Sequence, residues 1–144
     1  MKFSYYKFLL PQRSEFFGSS ILRPVIFIDL KVGTTIFKYQ ALVDSGADFC
    51  IFEAEVGREL GLTIEKGREM HFGGVQGYGG ARAFLHPITL FIGGRAHETV
   101  VGFSDDIGKK GTGILGQKGF FDMFSVKFDL AKEEIEIKET TKHT

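Results

Sequence analysis

Apolar and polar positions alternate along this chain in short runs that break at glycines. From Pro24 to Val32, Val25, Phe27 and Asp29 alternate with Ile26, Ile28 and Leu30. That period of two predicts a strand with one buried face. Gly33-Thr34 supplies a turn, and Thr35 to Val43 forms the return strand of a hairpin. Ala83 to Ile92 is a further strand. Pro87 inside it points to an edge or a bulge, because proline has no amide hydrogen to give a ladder. Gly93-Gly94 turns it into Ala96 to Phe103. Gly113-Ile114-Leu115-Gly116 reads as a short apolar strand, and Ser125 to Asp129 and Glu134 to Lys138 as two terminal strands around Ala131-Lys132.

The period changes in two places. Between Ile51 and Leu62, the residues Ala54, Val56, Leu60 and Leu62 are interspersed with Glu53, Glu55, Arg58 and Glu59, which suits a short helix. Gly61 is its expected stop, and Gly57 inside it argues against it. Gln117 to Phe124 reads as a second short helix. At the N-terminus, Lys2 to Leu10 fits an edge strand, and Pro11 with Gly18-Ser19-Ser20 punctuates a loop. The expected organisation is an uncertain N-terminal arm over 1–20, one all-β domain over 21–139, and a disordered tail over 140–144.

Composition narrows the picture. At 144 residues the chain suffices for one domain with a real core. Eighteen basic residues balance eighteen acidic ones, and the pI near 6.9 gives no electrostatic argument for nucleic acid or an anionic membrane as partner. No apolar run reaches membrane-spanning length, and Ser4, Tyr5, Tyr6 and Lys7 interrupt any signal-peptide core. The lone Cys50 cannot form an internal disulfide, so the default is a cytoplasmic protein. With Phe49, Ile51 and Phe52 around it, Cys50 reads as a small buried hydrophobe rather than a reactive thiol. Sixteen Phe and nineteen Gly fit aromatic-packed strands joined by tight turns.

The candidate chemistry centres on Ala41-Leu42-Val43-Asp44-Ser45-Gly46-Ala47-Asp48, where the hairpin runs out. An Asp before Ser-Gly is common in turns, where its side chain caps backbone amides. The alternative is acid–base chemistry. Two nearby carboxylates share a proton, so that one activates a water as base and the other donates to a carbonyl. Asp44 alone does half of that work, and a two-fold dimer would supply the other half. Met70 to Gly80 has five glycines in eleven residues and reads as a long mobile hairpin whose backbone can approach a ligand closely.

Three of these stretches, in order, resemble the retropepsin-like aspartic proteases. Leu42-Val43-Asp44-Ser45-Gly46-Ala47 is similar to the family's catalytic signature, Phe72-Gly73-Gly74-Val75-Gln76-Gly77 to its flap, and Ile114-Leu115-Gly116 to its hydrophobic-hydrophobic-Gly motif. Ala54 to Leu62 also resembles the segment after the catalytic loop in bacterial and cellular members. The resemblance spans roughly Pro24 to Lys138 and leaves the first twenty residues outside it. It implies a closed-barrel-like acid protease domain with one or two short helices, acting as a homodimer on peptide or protein substrates without a metal or cofactor. Asp44 would be catalytic and pair with its copy around the attacking water. Ser45 and Gly46 would support the active-site loop, Ser45 by tying the two loops together across the dimer. Ala47, Asp48 and the flap residues Gly73, Gly74, Val75, Gln76 and Gly77 would bind substrate. The chain departs from viral members at Gln117, where they usually carry Arg, and in its more polar flap with His71 and Gln76.

Other signals carry less. Gly111 to Gly116 fits G-x-G-x-x-G, but no long apolar strand precedes it. His71, His86, His97 and His143 show no ligand spacing and read as surface or flap residues. Ser45 lacks the G-x-S-x-G elbow of a serine hydrolase. Tyr78 fits a ligand contact or an ordinary strand aromatic equally well, and Asp105-Asp106 a solvated loop. Two alternatives to a protease stand: the same fold as an inactive peptide- or protein-binding module, and a barrel holding an apolar small molecule among its phenylalanines.

Overall fold

The computed structural model describes residues 1–73, 80–109 and 111–140. Among them the chain is all-β, with one six-residue α-helix. In chain order the strands are β1 (Lys2–Ser4), β2 (Tyr6–Ser14), β3 (Gly18–Arg23), β4 (Val25–Val32), β5 (Thr35–Val43) and β6 (Ile51–Glu53). Helix α1 (Ala54–Glu59) and a 3₁₀ turn (Ile64–Lys66) follow, then β7 (Arg68–Phe72), β8 (Ala81–Ile92), β9 (Arg95–Ser104), β10 (Thr112–Leu115), β11 (Phe124–Asp129) and β12 (Glu134–Glu139). No helix among the described residues is long and apolar enough to cross a membrane.

Six strands close on themselves. Their order is β4-β5-β10-β6-β9-β8, and β8 pairs back onto β4 through Asp29↔Phe91, Leu30↔Leu90 and Lys31↔Thr89. Closure leaves no free edge among these six strands along the paired stretch. Alternation then decides which residues fill the inside. Ile26, Ile28 and Leu30 of β4 are buried, as are Tyr39, Ala41 and Val43 of β5 and Ile88, Leu90 and Ile92 of β8, while Phe27 and Lys38 face out. The interior is packed with aromatic rings, Phe52 lying edge-on to both Tyr39 and Phe103. A barrel built to hold a small molecule would have left that space open. Burial raises the Tyr39 phenol far above its usual pKa, so it stays a donor and gives its hydrogen to Glu53 at 2.8 Å.

Two glycines are there because core side chains occupy the room for a Cβ. A Cβ on Gly113 would lie 2.5 Å from Phe52 and 2.6 Å from Tyr39. A Cβ on Gly57 would lie 2.5 Å from Ile64 and 2.9 Å from Phe103. The residue that argued against the helix is therefore what lets α1 lie flat on the barrel.

Several sequence expectations change here. The first twenty residues are not an edge strand followed by a loop. β1 pairs with β12 in a three-stranded sheet with β11, and β2 and β3 form a hairpin of their own, joined by the turn at residues 15–17. Gln117 to Phe124 forms tight turns rather than a helix, with the amides of Phe121 and Asp122 bonded to Gly116 and Gln117 carbonyls and Phe124 already in β11. Pro87 is not on an edge strand, because β9 runs along one side of β8 throughout. On the other side, β7 pairs as far as Leu85 and β4 begins at Thr89, so the proline falls in the gap between them. His86 is buried rather than exposed, its Nε2 2.8 Å from the Ile64 carbonyl oxygen, and His97 is mostly covered, its ring edge-on to Phe124. The tail after Thr140 lies outside the described residues.

The acidic pair after β9 anchors the loop that follows. Arg58 of α1 donates to both oxygens of Asp105, at 2.9 and 2.6 Å, and the Asp106 carboxylate accepts the Arg82 amide hydrogen at 2.8 Å. The hydrogen bonds and charge of Arg58 hold the Asp105 carboxyl below its usual pKa.

Two outcomes follow from this packing. Gly113→Ala should destabilise the fold by about 1–3 kcal/mol through overpacking, read by chemical denaturation; an unchanged midpoint would mean that the rings have room to move. Asp105→Asn should lower the melting temperature modestly at neutral pH. Because the folded pKa of Asp105 is depressed, its contribution exists above the ordinary carboxylate pKa, near 4, and fades as pH falls through the lower folded value. The gap between variant and wild type should therefore close in acid, and a gap that persists there would show that the pair acts by packing instead.

Candidate active site

The site is assembled where two segments far apart in sequence cross. β5 and β10 run parallel, with Leu42 opposite Ile114 and Val43 opposite Leu115. Inward-pointing Val43 and Leu115 fix both strands in the core. Beyond the ladder the chain turns outward, and backbone bonds take over. The Val43 amide donates to the Pro24 carbonyl at 2.8 Å and the Asp44 amide to the Leu115 carbonyl at 3.0 Å.

Asp44 is half-buried at the mouth of this crossing. Its Oδ1 accepts the Gly46 amide hydrogen at 2.9 Å, and its carbonyl accepts that of Ala47 at 3.2 Å. The carboxylate is thus locked to its own turn through one oxygen. Ser45, Gly46 and Asp48 are exposed, and Ala47 is partly covered. The turn reading and the acid–base reading of Asp44 are compatible, since capping one amide fixes the side chain that would do the chemistry.

The strap from β10 holds the loop from below. Gln117 and Lys118 amides donate to the carbonyls of Ala47 and Asp48 at 2.8 and 2.9 Å, and the Cys50 amide donates to the Lys118 carbonyl at 3.3 Å. The two backbones approach so closely that a Cβ on Gly116 would collide with the Phe49 carbonyl and sit 2.8 Å from that of Ala47. Gln117 adds a bond that sequence reasoning missed. Its side-chain Nε2 donates to the Ser45 carbonyl oxygen at 2.6 Å. No local signal marks it, because its partner lies 72 residues away.

Cys50 is fully buried behind the loop, where its Sγ accepts the Gly116 amide hydrogen at 3.4 Å. Burial, more than any neighbour, pushes its thiol up to about 12.

Phe49 points the other way and meets Phe72 edge-on, with ring centres 5.7 Å apart. Phe72 ends β7, so this contact joins the loop to the base of the glycine-rich hairpin. Gly73 is exposed, with a φ of +65° that suits glycine. Gly74, Val75, Gln76 and Gly77, with Tyr78, lie outside the described residues. A groove of about 660 Å³, bordered by Asp48, Phe49, Met70, Val100 and Met123, runs alongside. The described residues bring Asp44, Ser45, Gly46, Ala47 and Asp48 together on one turn, with Gly73 at the end of the adjoining strand. Among them no cluster of three or more His, Cys, Asp or Glu could hold a metal ion.

The burial of Cys50 gives a direct test. At pH 8 its thiolate fraction should be lower than that of an ordinary thiol by roughly three orders of magnitude. Thiol-specific reagents should therefore label the folded protein very slowly and the denatured protein readily, with mass spectrometry as the readout; equal rates would place Cys50 at the surface.

No protein-family model matches this chain, and no curated protein does. Among solved structures, the fold is similar to that of EIAV protease complexed with an inhibitor, at 25% identity and a TM-score of 0.47, over 66% of this chain and 82% of that one.

Proposed function

We propose that this protein is an aspartic endopeptidase in which two copies of the chain each contribute Asp44. The observation that carries the reading is the Asp44 turn itself. A half-buried carboxylate sits on a loop bonded to Leu115 of β10 and to Gln117 and Lys118 after it, with one oxygen tied to Gly46 and the other without a hydrogen-bond partner among the described residues. Such rigidity is what acid–base chemistry asks of its catalytic group. The reading also draws on the resemblance of Asp44-Ser45-Gly46-Ala47, the glycine-rich hairpin and Ile114-Leu115-Gly116 to the retropepsin-like proteases.

In this mechanism the two Asp44 carboxylates sit side by side across a two-fold axis and hold one proton between them. The ionised one takes a proton from a water molecule, which attacks the peptide carbonyl carbon. The protonated one donates to the carbonyl oxygen. The first Asp44 then gives its proton to the amine nitrogen as the C–N bond breaks, and the second takes a hydroxyl proton from the collapsing intermediate, which leaves as the carboxyl product, so the pair again holds one proton. Ser45 and Gly46 keep the turn in shape, and Gln117 braces it through the Ser45 carbonyl, where viral relatives usually place an arginine. Ala47 and Asp48 border the extended substrate, and the residues from Gly73 to Gly77 close over it and exclude water. No metal or cofactor takes part, and neither nucleic acid nor a membrane is a partner.

The test is Asp44→Asn. It should cut peptide hydrolysis by about 100- to 10,000-fold or more while circular dichroism and the dimer mass stay unchanged. Retained activity in that variant would remove Asp44 from the mechanism, and a wild-type chain that binds peptides without cutting them would favour a binding module.

A further inference from the structure

The β2–β3 hairpin lies outside the stretch that resembles a protease, yet it borders a pocket that begins two residues short of Asp44 in the chain. On the outer surface, Leu42 and Ile114 stand opposite each other in the β5–β10 ladder. They lie two residues before Asp44 and two before Gly116, the points where the two segments cross. Their side chains face away from the core, because Ala41, Val43, Gly113 and Leu115 take the inward positions. Together they floor a pocket of about 360 Å³. That is at the low end of the roughly 300–1,000 Å³ of ligand sites, enough for a side chain.

The walls come from elsewhere. Ile107 supplies one side, from the loop held by Asp105 and Asp106. Phe8 of β2 supplies another, with Arg23 and Val25 completing the rim. Phe8 is firmly placed. The Arg23 guanidinium lies over its ring, 4.9 Å from the centre, and Tyr6 packs against it at 4.6 Å. A solvent-facing hairpin does not need such bracing for one partly buried ring. Thr112, Gly108 and Gly113 complete the lining; apart from Arg23 at the rim and the Thr112 hydroxyl, its side chains are apolar, which suits an apolar side chain.

We infer that the N-terminal hairpin helps select the substrate: Phe8 is the wall of a pocket that takes an apolar side chain, of leucine or phenylalanine size, beside the peptide bond to be cut. The inference rests on the reading of Asp44 as the cleaving carboxylate. Phe8 is a specificity-determining residue here, with no part in the bond-breaking step.

The experiment measures kcat/KM for a peptide series that varies one side chain beside the cut from Val through Leu and Phe to Trp. Wild type, Phe8→Ala, Phe8→Trp and the hairpin-tip variant Phe16→Ala are compared, with Asp44→Asn as the blank. Phe8→Ala should shift preference toward the largest side chains by about tenfold, the scale on which apolar pockets discriminate. Phe8→Trp should shift it toward the smallest, and Phe16→Ala should match wild type. Profiles for both Phe8 variants that superimpose on wild type would overturn the inference while leaving the function intact. A shift equal in Phe16→Ala would also overturn it, since the hairpin would then act as a whole and not through Phe8. Should Phe8→Ala fail to fold, Phe8→Trp decides alone. No cleavage by wild type, or cleavage undiminished in Asp44→Asn, would instead remove the reading on which the inference stands.

Discussion

The Leu115 carbonyl accepts the amide hydrogen of Asp44, and the site is built outward from that bond. It joins two strands that run parallel and are separated by most of the barrel in sequence. A parallel pair cannot be closed by a tight turn. The crossing therefore exists only when the intervening strands β6 to β9 have folded back and β10 has slid in between β5 and β6. The geometry of Asp44 is thus a property of the finished barrel. A loop held by its local turn alone would keep the Gly46 cap but lose the Gln117 and Lys118 strap that carries the Ala47 and Asp48 carbonyls.

Close approach is the second constraint, and it falls on glycine twice. Gly113 gives its side-chain space to the rings of Phe52 and Tyr39 inside the barrel, and three residues on Gly116 gives its space to the Ala47 and Phe49 carbonyls. One short segment therefore meets the core on one side and the candidate site on the other. Core packing and site geometry are coupled through it. A change that swells the interior near Phe52 will be felt at the strap before it is felt at the hairpin tips.

Much of this could be read from the sequence, and the parts that could not share a cause. The β4–β5 and β8–β9 hairpins showed themselves by alternation broken at Gly33 and Gly93, a signal contained within each stretch. The Asp44 turn and the Ile114-Leu115-Gly116 strand were visible as motifs. The segment after Gly116 misled, because Phe120, Phe121 and Phe124 are spaced as on a helix. Their spacing instead serves a series of turns bonded back to Gly116 and Gln117. Pro11, Gln12 and Arg13 concealed the first hairpin by interrupting its apolar pattern. The placements of Gln117 against Ser45, Phe8 against Arg23 and His86 against Ile64 are long-range facts with no local trace.

Pro87 bears on how this architecture can bend. Along one edge of β8 the hydrogen-bonded lattice is interrupted, since pairing with β7 ends at Leu85 and pairing with β4 begins at Thr89. The strand is thus shared by two mechanical units, a closed cylinder on one side and the stalk of the glycine-rich hairpin on the other. Tilting the stalk against the cylinder at this point breaks no ladder bond on that edge, and the resistance comes from β9 on the other edge together with the Phe49–Phe72 contact and the Asp106–Arg82 bond. A proline costs such a joint nothing, since it has no amide hydrogen to leave unpaired.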